Sequence, residues 1–373
     1  MSAIERLVEI DSLFDLTPEH DACFVEAMRE ASAWHMERSD VFRNLARKRG
    51  FTPEALQGVE DVADVPHVFV NAFKQYEILS VPAEEVVLTL TSSGTSGQRS
   101  QIMFDQPSLD RGLRMVDRVF EAMSLKRPEQ VVNYILFAYD PEEARQVGTS
   151  YTDDNLTNLT QKGKVYHALR WNSEKREFEF RPAECYAKLL EYAEDGLPVR
   201  LLGFPAFLHR LVRYHQESGA PPLELGPDSY VLTGGGWKTS EHAAIDKDRF
   251  IGEVSRTLGI PPGNLRDGYG LVEHGIAYIE CEHHRFHVPA FARAFARDVG
   301  TLEILPDGEV GFLQLVTPYM RSMPTISLLT SDLATVGHDE CPCGRKSGTL
   351  VLQGRAGTRK NKGCAITAAQ LLK

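Results

Sequence analysis

The chain of 373 residues has no run of about eighteen apolar residues, so no segment reads as a membrane span. Positive charge is short. The 41 lysines and arginines face 52 acidic residues, for a net charge of −11. That balance argues against general nucleic-acid binding, which favours basic surfaces. The opening stretch "MSAIERLVEIDSLFDL" lacks the basic head and apolar core of a signal peptide, so a soluble cytoplasmic protein is the expectation. Cysteine is sparse at 6, too few for a disulfide scaffold in a chain this long. No internal repeat and no low-complexity segment is present. What is there, 42% apolar residues, supplies a sizeable core for two domains or one large domain with a satellite. Oligomerisation is left open.

Apolar spacing divides the chain. "PEHDACFVEAMREASAWHMERSDVFRNLARKRG" has helical periodicity and stops at Gly50. "FTPEALQGVEDVADVPHVFVNAFKQYEIL" reads as short helices broken by prolines, and "VVLTL" as a strand. Then the patterns alternate: "PSLDRGLRMVDRVFEAM" helix, "VVNYILFAYDP" strand, "AECYAKLLEYAEDG" helix, "VRLLGF" strand. "AFLHRLVRYHQESG" follows as helix, "SYVLTGGGW" as strand and "SEHAAIDKDRFIGEVSRTLG" as helix. Such alternation predicts an α/β domain with a largely parallel sheet. After about residue 275 the texture changes. "TLEILPDGEVGFLQLVTPY" predicts two antiparallel strands joined by a Pro-Asp-Gly turn, and "LLTSDLATVG" predicts another strand.

The stretch "LTLTSSGTSGQRS", residues 88 to 100, packs hydroxyls and glycines into one turn. Gly94 and Gly97 let several backbone N–H groups converge, while Thr91, Ser92, Ser93, Thr95 and Ser96 add donors. Arg99 adds a forked cation suited to phosphate oxygens. The spacing is not that of a Walker loop. Phosphate binding and a plain hydroxyl-rich hairpin turn both fit. Gly234, Gly235 and Gly236 in "LTGGGW" follow a strand, where ligands of α/β folds bind, although a plain turn has the same composition. "RDGYGLVEHG" offers Tyr269 as an aromatic face, Gly270 for close approach and Glu273 as a candidate magnesium ligand beside phosphates. Asp332 in "SDLATV" suits the two hydroxyls of a ribose. In "GRAGTRKNKGCAI", Arg355, Arg359, Lys360 and Lys362 crowd around glycines, which also suits a solvated basic tail.

In this order the pieces resemble the adenylate-forming enzyme superfamily, from about residue 88 onward. The resemblance implies an α/β, adenylate-forming large domain with mainly parallel sheets flanked by helices, and a smaller strand-rich C-terminal part. It implies that residues 91 to 97 hold ATP's β- and γ-phosphates, that Gly234–Gly236 and Tyr269 flank adenine, and that Glu273 holds Mg²⁺. Asp332 then binds ribose and Arg355 belongs to the Gly-Arg hinge. Two departures stand out. The family loop ends Gly-x-Pro-Lys where this chain has "GQRS", and the family continues past the hinge into a small domain with a catalytic lysine.

A narrower resemblance accounts for the second departure. "YGLVEHGIAYIEC", "HVP", "LTSDLA" and "GRAGTRKNKGCAITAAQLLK" closely match LuxE-type acyl-protein synthetases, the synthetase subunits of bacterial fatty-acid reductase complexes that supply bioluminescence aldehyde. The match implies that Cys364 accepts the acyl group as a thioester. Nearby cations and a helix start both favour its thiolate. "CEHHRFH" and "CPCG" place Cys281, His287, Cys341 and Cys343 as a three-sulfur, one-imidazole zinc set, as in phenylacetate-CoA ligase-like relatives, with His283 or His284 as substitutes for His287.

The expected function is ATP- and Mg²⁺-dependent activation of a long-chain fatty acid to an acyl-adenylate, then transfer to Cys364 for delivery to a reductase subunit. An acyl-transferase is a further expected partner. Arg99, Lys238 and His274 join Cys364 and Glu273 as catalytic candidates. The alternatives are a carboxylate–CoA ligase and a non-catalytic nucleotide-binding subunit of a reductase complex. The expected organisation is a helical N-terminal region (1–80), an α/β nucleotide-binding core (81–275), a strand-rich subdomain with the zinc site (276–353) and a hinge-like segment carrying Cys364 (354–373).

Overall fold

The helical periodicity of the N-terminal stretch divides between two helices. In the computed structural model, which describes residues 1–91, 100–139, 156–174, 177–237 and 244–356, a short α1 (Ala3–Val8) precedes α2 (Pro18–Arg38) and α3 (Asp40–Arg49). Ser39 makes the break. It closes α2 and caps α3 from an extended conformation, its hydroxyl accepting from Phe42 N at 3.5 Å. Serine favours such cap positions because its side chain competes for backbone hydrogen bonds. Gly50 ends α3 with φ +64, as the sequence predicts. The proline-rich stretch beyond forms short 3₁₀ turns around β1 (Val68–Phe69).

Next come the antiparallel pair β2 (Val86–Thr91) and β3 (Gln101–Asp105) and the amphipathic α4 (Gln106–Ala122). The alternating region runs β4 (Arg127–Tyr139), β5 (Thr160–Asn172), β6 (Glu177–Phe180), α5 (Pro182–Glu194), β7 (Val199–Gly203), α6 (Pro205–Ser218), β8 (Tyr230–Gly234), α7 (Lys247–Leu258) and β9 (Leu265–Tyr269). Among the described residues the last third carries strands as its regular elements: β10 (Tyr278–Ile279), β11 (Phe286–His287), β12 (Arg293–Arg297), β13 (Gly311–Val316), β14 (Ser327–Gly337) and β15 (Thr349–Arg355).

The chain divides into two compact units. The second unit holds Met123–Tyr269 and Ile279–His284. Its sheet has the order β10-β9-β8-β7-β4-β5-β6, with parallel pairing from β9 through to β5 and β6 antiparallel to β5. This is the parallel sheet predicted from alternation. Ile135, Leu201 and Val231 from the strands meet Leu189, Leu208 and Val254 from the helices in one buried core. The strands β5 and β6 carry little sequence signal because β5 is exposed along much of its length.

The first unit holds Met1–Ala122, Gly270–Tyr278 and the described part of Arg285–Lys373. Its sheet is antiparallel in the order β11-β15-β14-β13-β12, with β1 added parallel to β14. Here one expectation is corrected. The predicted strand around "TLEIL" shrinks to a single bridge between Ile304 and Arg297, and β13 pairs instead with β12. Leu302 takes φ +63, a conformation that breaks a strand, and Ile304 is exposed, whereas β13 is buried at all six positions. Among the described residues no helix is long and apolar enough to cross a membrane.

Candidate active site

In the second unit the pairing of β8 with β9 joins two sequence motifs. Thr233 lies opposite Asp267 and Gly234 opposite Gly268, so "LTGGGW" and "RDGYG" share the carboxyl edge of a parallel sheet. A β-carbon on Gly234 would stand 3.3 Å from Gly268 O, and Gly235 and Gly236 take φ +72 and +66. The turn therefore requires glycine on conformational grounds. Tyr269 ends β9, partly buried, and Gly270 is exposed. Beneath the turn lies a cavity of about 190 Å³, lined by Gly236, Trp237, Phe250 and Ile251 on its apolar side and by Thr233 and Asp267 on its polar side.

Asp267 and Glu280 were not foreseen. Thr233 Oγ1 donates to Asp267 Oδ1 at 3.0 Å, Asp267 N donates to Glu280 Oε2 at 3.0 Å, and Lys247 pairs with Glu280. Burial first, and the neighbouring Glu280 second, push the Asp267 carboxyl up to about 6. The only signal in the sequence was an acid two residues before Tyr269-Gly270 at a strand end.

In the first unit Glu273 sits on the turn after Gly270, 6% exposed, with no hydrogen-bond or ion-pair partner among the described residues. A carboxylate on that turn suits the magnesium candidate. His274 is fully buried. Its Nε2 lies 2.8 Å from Tyr278 Oη, and desolvation holds the imidazole down at about 3, neutral at physiological pH. This candidate has no surface on which to meet a substrate. Asp332 on β14 and Arg355 on β15 are register partners, and Arg355 Nε donates to Asp332 Oδ1 at 2.7 Å. The ribose candidate and the hinge candidate are thus one ion pair, with the carboxylate buried and the guanidinium largely exposed.

The metal candidates of this unit also converge. His287 on β11 and Cys341 and Cys343 between β14 and β15 bring their ligand atoms within 4.8 Å of one another, with Cys343 Sγ 3.2 Å from His287 Nε2. The other ring nitrogen, Nδ1, lies 3.4 Å from Ser347 Oγ, a partner of the kind that orients a metal-bound imidazole. Cys281, five residues before β11, is fully buried and its Sγ accepts from His283 N at 3.4 Å. Thiolates with an imidazole fit zinc.

Thr91 is exposed at the end of β2, paired with Gln101 of β3. The remaining candidates, Ser92, Ser93, Gly94, Thr95, Ser96, Gly97, Arg99, Lys238 and Cys364, lie outside the described residues.

Comparisons with known proteins identify a family. The sequence model of one family, described as acyl-protein synthetase, LuxE, matches residues 2–373. A long-chain-fatty-acid–luciferin-component ligase of Aliivibrio fischeri is 26% identical over 98% of this chain and 94% of its own. A phenylacetate-coenzyme A ligase of Thermus thermophilus is 23% identical over 86% of this chain and 66% of its own. Among solved structures, a 2-hydroxyisobutyryl-CoA ligase in complex with 2-HIB-AMP superposes with a TM-score of 0.68 at 16% identity, covering 94% of this chain and 70% of that one. That likeness shows a shared α/β fold.

Proposed function

The chain belongs to the LuxE acyl-protein synthetase family, and from that premise we propose that it activates a long-chain fatty acid with ATP and carries the acyl group on its own cysteine. The carboxylate oxygen attacks the α-phosphorus of ATP and pyrophosphate leaves. The Cys364 thiolate then attacks the carbonyl of the acyl-adenylate, AMP leaves, and a thioester remains for a reductase partner. The match along residues 2–373 carries this reading, and the geometry supports it. The cavity beside Gly236 offers apolar side chains, Trp237 and Phe250 among them, and the Asp267 carboxylate, suited to a purine ring with an amino edge. Asp332 is the ribose acceptor, with Arg355 orienting it. Glu273 would hold Mg²⁺, which neutralises phosphate charge as pyrophosphate departs. The Ser92–Gly97 stretch and Arg99 are assigned to the β- and γ-phosphates, and Lys238 to the substrate carboxylate, on sequence grounds. A structural zinc ion is assigned to Cys281, His287, Cys341 and Cys343.

Fatty-acid-dependent exchange of labelled pyrophosphate into ATP tests the activation step. Glu273→Gln removes the charge but keeps the shape, and exchange should fall about 100-fold or more. Wild-type exchange in that variant, with the fold intact, would remove Glu273 from the magnesium site. The match to a phenylacetate-coenzyme A ligase favours one second reading, a carboxylate–CoA ligase with free CoA as acceptor. The two differ in product: acyl-CoA in one, acylated protein in the other.

A further inference from the structure

The turn that carries Glu273 is held from both sides. His274 and Gly275 both donate backbone N–H to Leu271 O, at 3.0 and 2.8 Å. Downstream, the His274 and Tyr278 rings stack with 5.7 Å between centroids and 6° between planes. Against the other side stands Tyr319, 1% exposed, on the segment between β13 and β14. A β-carbon built on Gly275 would lie 1.7 Å from Tyr319 Oη and 2.9 Å from its Cζ, so the tip of the phenol touches the backbone of the turn. Gly275 also takes φ +71, and both facts require glycine.

Tyr319 is itself fixed. Arg111 of α4 donates to Tyr319 O at 3.2 Å, and a β-carbon on Gly112 would rest 3.6 Å from the ring. Arg321 N donates to Ser108 Oγ at 2.8 Å, anchoring the same segment to the start of α4. The hydroxyl contributes no hydrogen bond to this anchorage: Tyr319 Oη has no partner among the described residues. Burying an unpartnered hydroxyl costs free energy. A phenylalanine would pack the same hole without that cost. What the oxygen supplies is contact with Gly275.

We propose that Tyr319 is a positioning residue for Glu273. Its hydroxyl is a spacer wedged against Gly275, and it sets where the turn presents the carboxylate. The His274–Tyr278 pair fixes the far end of the same turn, so the backbone that carries the carboxylate is held at both ends. The proposal rests on the reading of Glu273 as the magnesium ligand of the activation step. Removing the oxygen lets the turn settle toward the vacated space. A displacement of about 1 Å at a reacting centre costs up to about 100-fold in rate, and a shift of part of that distance costs less.

The experiment is Tyr319→Phe beside Glu273→Gln, each read by fatty-acid-dependent pyrophosphate exchange against Mg²⁺ concentration and by thermal unfolding. For Tyr319→Phe the half-saturating Mg²⁺ should rise about five- to tenfold. Its Tm should stay at or slightly above wild type, and its KM for fatty acid should not move. A merely structural tyrosine would shift Tm and leave the Mg²⁺ dependence alone. Wild-type Mg²⁺ dependence in Tyr319→Phe, with exchange lost in Glu273→Gln, overturns the proposal and leaves the magnesium assignment standing. Exchange retained in Glu273→Gln overturns both.

Discussion

Asp267 shows how one carboxyl is shaped by its surroundings. Its folded pKa of about 6 stands above the ordinary 3.8 because burial disfavours the charged form and Glu280 lies beside it. Between those two values the folded chain holds a proton that the unfolded chain releases. Stability therefore falls as pH rises through that window, and above it the charged group costs up to about 3 kcal/mol. Asp267→Asn keeps the acceptor for Thr233 and removes the charge. It should raise Tm at pH 8 and leave it unchanged at pH 4. An equal effect at both pH values would show that the charge is not the cause. Asp267 was illegible in the sequence because its character comes from β8 and Glu280, which only the fold brings to it. Glu273 stands out in the sequence as a candidate because its motif is contiguous. His274 was named for its closeness to that motif, but sequence distance does not reveal which way a side chain faces, and this one faces the core.

Elements repeat the lesson. Buried strands such as β7 and β13 read directly as apolar runs, since both faces are covered. Exposed β5 did not, and β12 was missed because Arg293 and Arg297 interrupt an otherwise apolar stretch. Both arginines are buried: Arg293 pairs with Asp21, and Arg297 donates to Gln314 Oε1 at 2.7 Å. The β14–β15 connection carries Cys341 and Cys343 up to His287 on β11, so a metal there would tie the ends of three strands. Protein purified without chelator should contain about one zinc per chain. Cys341→Ser should lower zinc content and Tm together. Elemental analysis that finds wild-type protein free of metal would reject the site.

At the scale of the molecule, each unit brings its own part of the proposed chemistry. The parallel unit offers the glycine turn and its cavity; the antiparallel unit offers Glu273 and the Asp332–Arg355 pair. The family match embraces both and extends over Cys364. The central claim is that the chain itself is the acyl acceptor. The most direct measurement incubates the purified protein with ATP, Mg²⁺ and a labelled long-chain fatty acid, then follows label on the denatured chain before and after hydroxylamine. The account predicts a label on wild type that hydroxylamine releases, as a thioester does. It also predicts loss of that label in Cys364→Ser, because a hydroxyl near neutral pH is a far poorer nucleophile than a thiolate. Pyrophosphate exchange should persist in that variant. A hydroxylamine-labile label that survives in Cys364→Ser, or a wild-type protein that never labels yet converts CoA to acyl-CoA, would contradict it.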